Sequence, residues 1–454
     1  MKKIASILKN KEIMNRLLFT ILILFVFRIG AQITVPGVTL GEDLTNSLNN
    51  NYALSLMNLL GGGTLQSFSI FALGVSPYIT AQIIVELLAT DVLPALTELK
   101  RQGQAGRKKL NMTTRYLTLL LGAVQAYGII KTMESSDLIT FSLNLAEGYE
   151  WIGYIYIIVI MMAGCMTVMW LGDQISEKGI GNGISMIIFA GIVSSLPSQL
   201  GNAWGLWVGN IALQGQDSAR IAGIFKFILY ILSYVLIIAF VVFIELSKRK
   251  IPVQHSGKGG GQTQSMARAS FLPIKINPAG VIPVIFASSI MMAPSVIVAF
   301  IDPNLSSAEW LGIFETNTLF DMGSWKMPWG LIIYLVLTVA FTFFYANIQI
   351  NPEQIAENFQ KNGSYIPGIH TGNETERYIR KVLNRVSALG AFSLCVIAAL
   401  PPVLTLTIFQ DNPGLALGGT GMIILVGVCL EINNQINGLL AGKSYEEVVA
   451  SGGR

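Results

Sequence analysis

The chain has 454 residues, of which 52% are hydrophobic and only 12% charged, with a net charge of +4. That charged share is about half of what a soluble globular domain carries, which excludes an ordinary soluble fold. Three cysteines (Cys165, Cys395, Cys429) fall inside apolar runs and both histidines (His255, His370) lie in loops. Neither a disulfide framework, a metal centre nor a bound cofactor is expected.

Ten apolar stretches alternate with polar loops: 17–33, 70–90, 113–130, 151–171, 180–196, 221–244, 279–301, 329–350, 382–408 and 417–440. About 20 apolar residues cross a bilayer core as a helix, so an all-α polytopic membrane protein is predicted. The 45 glycines suit close helix packing in lipid. The first stretch follows Lys2, Lys3, Lys9, Lys11 and Arg16, as a secretory signal would. No small-residue cleavage site closes it and many spans follow, so a retained first helix is expected.

Of the 30 Lys and Arg, 25 fall on alternate loops counted from the N-terminus. Lys131, Arg220, Lys226 and Lys326 fall on the other set, and Arg28 lies inside the first span. The positive-inside bias predicts both termini and the basic loops in the cytoplasm. A division near 198–220 gives halves of residues 1–200 and 201–454 with five spans each. Because five is odd, the halves have opposite orientation, which permits an inverted repeat around a central path.

Between the first two spans, the apolar stretch 54–60 is too short to cross, and Gly61, Gly62 and Gly63 interrupt it. It reads either as a re-entrant helix folding back from outside or as an amphipathic helix on the surface. The next span carries Val75, Ile79 and Ile83 on one helical face, and the fifth carries Ile184 and Ile188 in the same spacing. Such stripes by themselves suit packing against lipid or helices. Gly179, Gly181 and Gly183 lack the spacing of a phosphate-cradling loop and read as a turn into the fifth span. The loops 247–278 and 351–381 are long, polar and basic, and the first contains KGGGQTQS, a flexible tip. They set topology or touch anionic lipid, or they dock a polyanionic partner. Arg28, Glu86 and Glu431 are the candidate intramembrane charges, read either as functional groups or as side chains reaching the interface from span ends.

Several blocks carry a family resemblance. RIGAQITVPGV at 28–38, GGGTLQSFSIFALGVSPYITAQII at 61–84 and GQAGRKKLNMTTRYLT at 103–118 come first. MWLGDQISEKGIGNGISMIIFAGI at 169–192, LPIKINPAGVIPVIFASSI at 272–290, NPEQIAENFQKNGSYIPGI at 351–369 and LGGTGMIILVGV at 417–428 follow in family order. Together they resemble the SecY family, the central subunits of the bacterial protein-conducting channel.

The resemblance implies a clamshell of two inverted five-helix halves around an hourglass pore. It assigns the pore ring to Val75, Ile79, Ile184, Ile188, Ile285 and Ile424. The plug lies near 56–68, centred on Asn58, Leu59, Leu60, Gly61, Gly62, Gly63, Thr64 and Leu65. The second and seventh spans form a lateral gate, with Thr80, Gln125 and Asn277 in its polar cluster. The two long loops dock the ribosome or the motor ATPase SecA, through Lys248, Arg249, Lys250, Lys258, Arg268 and His370. Small SecE-type and SecG-type membrane subunits, nascent chains, signal peptides and the lipid bilayer are the other implied partners. The expected function is export of unfolded secretory proteins across the bacterial plasma membrane, and insertion of membrane proteins into it, without enzymatic activity.

The physics suits this reading. Aliphatic side chains offer no hydrogen bond that would trap a passing polypeptide, and a dry constriction resists ions by dewetting. A plug adds a barrier against leakage driven by about 2.3 kcal/mol per charge per 100 mV. Pro283 and Pro294 permit bending of the seventh span. Departures from the family pattern are His370 after the PGI motif, where Arg is usual, a tip at 258–265 short of basic residues, Glu86 for a commoner Gln, and Val75 for Ile. A small-solute transporter would instead need carboxylates or Arg at the midplane, and a ten-span glycosyltransferase an acidic residue with basic partners in an external loop.

Overall fold

A backbone surrounded by apolar side chains must satisfy its own hydrogen bonds, and this chain does so chiefly as helix. The computed structural model describes residues 10–41, 58, 61–90, 93–135, 138–141, 150–209, 217–255, 270–301, 309–314, 320–321, 326–407 and 419–451. Helix α1 (Lys11–Gly30) opens on Asn10, whose side chain accepts from the Glu12 N–H. After strand β1 (Val38–Leu40) come α2 (Ser76–Leu88), α3 (Pro94–Arg101) and α4 (Gln104–Ser135). Strand β2 (Ile139–Phe141) pairs antiparallel with β1, and α5 (Glu150–Lys178) and α6 (Gly183–Trp204) follow. A π turn (Gly205–Gly209) prolongs α6, so the helix runs past residue 200 before α7 (Asp217–Leu246) begins.

The second half continues with β3 (Lys248–His255), β4 (Ser270–Lys275) and α8 (Ile282–Ile301). A 3-10 turn (Glu309–Phe314) and the short pair β5 (Phe320–Asp321) and β6 (Lys326–Met327) precede α9 (Trp329–Gln349). Then come α10 (Pro352–Lys361), β7 (Ser364–Tyr365), α11 (Asn373–Thr407) and α12 (Gly419–Ser451). Among the described residues eight helices are long and apolar enough to cross a membrane, and two shorter apolar ones, Ser76–Leu88 and Ile282–Val298, occupy the predicted second and seventh spans.

Two expectations change on folding. The predicted second span starts near residue 70, yet α2 starts at Ser76, and 61–75 is a buried run of turns. Gly74 has φ +54°, outside the helical region, and Pro77 supplies the fixed φ of a first turn. Of the re-entrant helix, only Asn58 is helical among the described residues; 54–57, Leu59 and Leu60 lie outside them. The second change concerns the basic loops, whose bases form a sheet of order β4-β3-β7. Its register runs from Lys248 opposite Lys275 to Val253 opposite Ser270, and His255 lies opposite Ser364. Ile251 and Ile274 turn inward onto Ala346, Ile366, Ile379 and Leu383. The tip 258–265 lies outside the described residues.

Helix packing falls into two groups. In one, α1 lies on α5 and α6, α2 on α4, and α4 on α5; in the other, α9 lies on α8 and α11, and α12 on α7 and α11. The main contacts between the groups are α8 with α4 and α2 along one seam, and α6 with α12 along another.

Candidate functional site

The six predicted ring positions come from four helices; Val75, Ile79, Ile188 and Ile424 belong to one extended hydrophobic core, and Ile184 and Ile285 pack against it. Val75 forms the N-terminal boundary of α2 and Ile79 lies one turn on; Ile184 and Ile188 lie one turn apart on α6. Ile285 stands in the first turn of α8 and Ile424 in the second turn of α12. Val75, Ile188 and Ile424 are at most 2% exposed and Ile79 6%, while Ile184 and Ile285 are half-buried against them. Local geometry fixes the start of α6: the Asn182 side chain accepts from the N–H groups of Ile184 at 3.1 Å and Ser185 at 3.4 Å. Gly181, at φ +89°, donates its N–H to Gln435 Oε1 at 2.7 Å, tying α6 to α12. These side chains offer a passing group dispersion contacts and no polar hold.

The segment before α2 is held against this cluster by backbone. A Cβ on Gly191, one turn beyond Ile188, would stand 1.9 Å from Gly62 Cα, and one on Gly74 would stand 2.2 Å from Gly61 Cα. Only glycine permits both approaches. Leu65 and Phe68 are fully buried in the ring's own cluster. Several polar groups here are matched, whereas the buried Ser69 Oγ has no partner among the described residues. Thr64 Oγ1 donates to the carbonyls of Gly61 (3.1 Å) and Phe71 (2.8 Å). The Gly63 N–H reaches Asn58 O (2.7 Å) and the Leu65 N–H reaches Asn58 Oδ1 (3.1 Å). Backbone bonds Val35 N to Phe68 O and Ile70 N to Ile33 O, both 3.0 Å, stitch the segment to the chain leaving α1. Arg28, predicted as an intramembrane charge, donates from Nη1 to Gly62 O at 3.2 Å.

Along the seam the three predicted polar residues are placed separately. Thr80 is half-buried and donates to Ser76 O of its own helix at 3.1 Å. Gln125, buried on α4, has no partner for Oε1 among the described residues. Asn277, buried in the turn before α8, donates from Nδ2 to Gly280 O (2.8 Å) and Glu245 Oε2 (3.5 Å), and its Oδ1 is unpartnered. No hydrogen bond among the described residues joins these three. Sequence reasoning missed Glu245, which is held by Lys275 at 3.5 Å; nothing in its position at the end of an apolar run distinguishes it.

On the side carrying the basic loops, Lys248, Arg249 and Lys250 are exposed on β3, with Lys250 Nζ 5.5 Å from the Phe271 ring centre. Tyr365 donates to Gln254 Oε1 at 2.8 Å and joins the two loops. His370 is exposed in the turn before α11; its N–H donates to Glu374 Oε2 (3.3 Å) and its carbonyl accepts from Thr375 (2.8 Å). Lys258 and Arg268 lie outside the described residues. Among the described residues no three His, Cys, Asp or Glu side chains are grouped to hold a metal ion.

Comparison with known proteins agrees across the chain. The SecY family model matches residues 69–433. The protein translocase subunit SecY of Lactococcus lactis is 42% identical over 446 residues, spanning 98% of this chain and 97% of that protein. Its counterpart in Mycoplasma capricolum is 41% identical over 449 residues, spanning 98% and 91%. A solved protein-conducting channel shares the fold at TM-score 0.62 and 17% identity, covering 94% of this chain and 93% of that one. A SecY structure whose plug domain is described as stabilizing the closed state and maintaining a membrane seal matches at TM-score 0.64 and 16% identity, with 94% and 92% covered. Sec61 from a canine ribosome-channel complex matches at 0.59 and 17%, with 94% and 93% covered.

Proposed function

This chain belongs to the SecY family, a multi-pass membrane family of protein translocase subunits, and from that premise we propose how its residues do the work. The chain is a protein-conducting channel subunit; it is neither an enzyme nor a small-solute transporter. Unfolded polypeptides pass through a ring of Val75, Ile79, Ile184, Ile188, Ile285 and Ile424, which closes to a dry constriction between substrates. The observation that carries this reading is that all six, from both helix groups, belong to or pack against one and the same hydrophobic core. The segment from Asn58 to Leu65 is the plug. Its backbone seat at Gly191 supports that role, as does the seal ascribed to the plug domain of a structural relative.

The two halves divide between α6 and α7, close to residue 200. Apolar signal and membrane segments leave sideways between α2 and α8, at the seam that holds Thr80, Gln125 and Asn277. The basic sheet and the turn at His370 face the cytoplasm, with both termini, in a bacterial plasma membrane. They dock the ribosome or SecA, which supplies the energy, because the chain has no nucleotide-binding motif. SecE-type and SecG-type subunits complete the assembly.

Single-channel recording in planar bilayers tests the ring. Ile79→Ser with Ile188→Ser is expected to raise the resting ion conductance, and an unchanged conductance would remove these positions from the seal. Mild detergent extraction tests the partners: small single-span subunits and a ribosome or motor are expected to stay bound.

A further inference from the structure

Arg28 is the basic residue inside the first span, and it stands half-buried in the last turn of α1. The negative end of the helix suits a cation there but does not account for where the side chain goes. Nη1 reaches the carbonyl of Gly62, 34 residues on, at 3.2 Å. No carboxylate among the described residues pairs with it. Phe27, its neighbour in α1, is fully buried and stacks on Phe71, with ring centroids 5.9 Å apart and planes within 6°. A Cβ on Gly62 would stand 3.2 Å from the Phe27 ring. Gly62 is thus enclosed by α1 on one side and by Gly191 of α6 on the other.

The segment's other hydrogen bonds are its own. Asn58 serves Gly63 and Leu65, Thr64 donates to Gly61 and Phe71, and the Thr64 carbonyl accepts from the Ser69 N–H at 3.1 Å. Among the described residues, the bond from Arg28 is the single hydrogen bond that joins Asn58 and 61–65 to anything outside 58–71. Displaced group by group, the segment loses its internal bonds. Displaced whole, it keeps them, and the polar tie it must break is the one to Arg28. A hydrogen bond from an ionised donor is about twice as strong as a neutral one. Once the carbonyl has gone, the guanidinium stands uncompensated at the end of an apolar span, which penalises the displaced state. From this arrangement we infer that Arg28 is the latch of the plug: a positioning residue whose charged bond to the Gly62 carbonyl sets how often the segment leaves its seat. The inference rests on residues 58–65 being the plug.

The test uses the full chain with its partner subunits in planar bilayers, without substrate, and reads the fraction of time spent conducting. Arg28→Met removes the donor and the charge at nearly constant length. An apolar side chain also favours the span in lipid, so misfolding of α1 would not imitate release of the plug. The variant is expected to raise the conducting fraction about tenfold, the factor that one charge-assisted bond supports. Arg28→Lys keeps the charge and a donor, and should stay within about threefold of the parent. In a chain lacking 58–65 the acceptor is gone, and Arg28→Met should then change the fraction by less than about twofold. If Arg28→Met raises conduction by less than about twofold in the intact chain, or by the same tenfold in the shortened one, the latch is overturned. A shortened chain that leaks no more than the parent overturns the plug reading instead, and this inference with it.

Discussion

The plug segment and the seam are buried alike but satisfied differently. In the proposed plug, Thr64, Leu65 and Gly63 find partners, and Gly62 and Gly191 bring two backbones into direct contact; Ser69 Oγ, just beyond it, is the one buried side-chain group of this run without a partner among the described residues. In the seam, Gln125 Oε1 and Asn277 Oδ1 have none among the described residues. A saturated, tightly packed region resists displacement, because every group that moves loses a bond or a contact. A region with orphaned acceptors is already partly uncompensated, so opening it to water costs less. On the proposed roles, closure and mobility would be divided between two parts of one apolar core.

The comparison can be broken most strongly at the ring. Ile79→Ser with Ile188→Ser removes buried methylenes from the core that both regions share, at about 2–5 kcal/mol per site by analogy with large-to-small replacements. Thermal unfolding in detergent should show a lower midpoint alongside the raised conductance. Gly191→Val comes next. Its side chain would collide with Gly62 Cα, and the overpacking costs about 1–3 kcal/mol. The plug segment is expected to leave its seat, seen as faster proteolysis near Gly62 and a leakier closed state. Gln125→Leu sharpens the contrast in the other direction. Replacing a buried group that lacks a partner by an apolar one of similar size should hold the seam shut by about 1 kcal/mol, read as a smaller open fraction between spin labels at the exposed Leu120 of α4 and Ile297 of α8. His370→Arg should be smallest, within about 0.5 kcal/mol in stability, as is usual for exposed positions. It is expected to leave motor-driven export unimpaired; a large loss would give His370 a role of its own.

Much of this was legible before folding. Hydropathy is a local average, so eight long apolar helices and two shorter ones lie where composition places them. The spacing of Ile184 and Ile188 marks one face of α6, although their sharing of one core with Ile424 needs the contact between α6 and α12. The sheet β4-β3-β7 is not legible in the sequence, since Lys248, Arg249 and Lys250 mask the inward Ile251 and the strand's partner lies about twenty residues away. The start of α2 was placed too early, because Gly74 ends an apolar stretch without changing its hydropathy.

Sequence by itself determined which segments cross, how charge divides between loops, and which aliphatic side chains share a helical face. These are properties of neighbours in the chain, fixed by solvent transfer and helical period. Tertiary structure alone decided that Gly62 rests on Gly191, that Arg28 holds Gly62, and that the Gly181 N–H meets Gln435 of α12. Those facts join residues 34 to 254 positions apart, and only packing to contact distance determines whether a polar atom at such a meeting finds its partner.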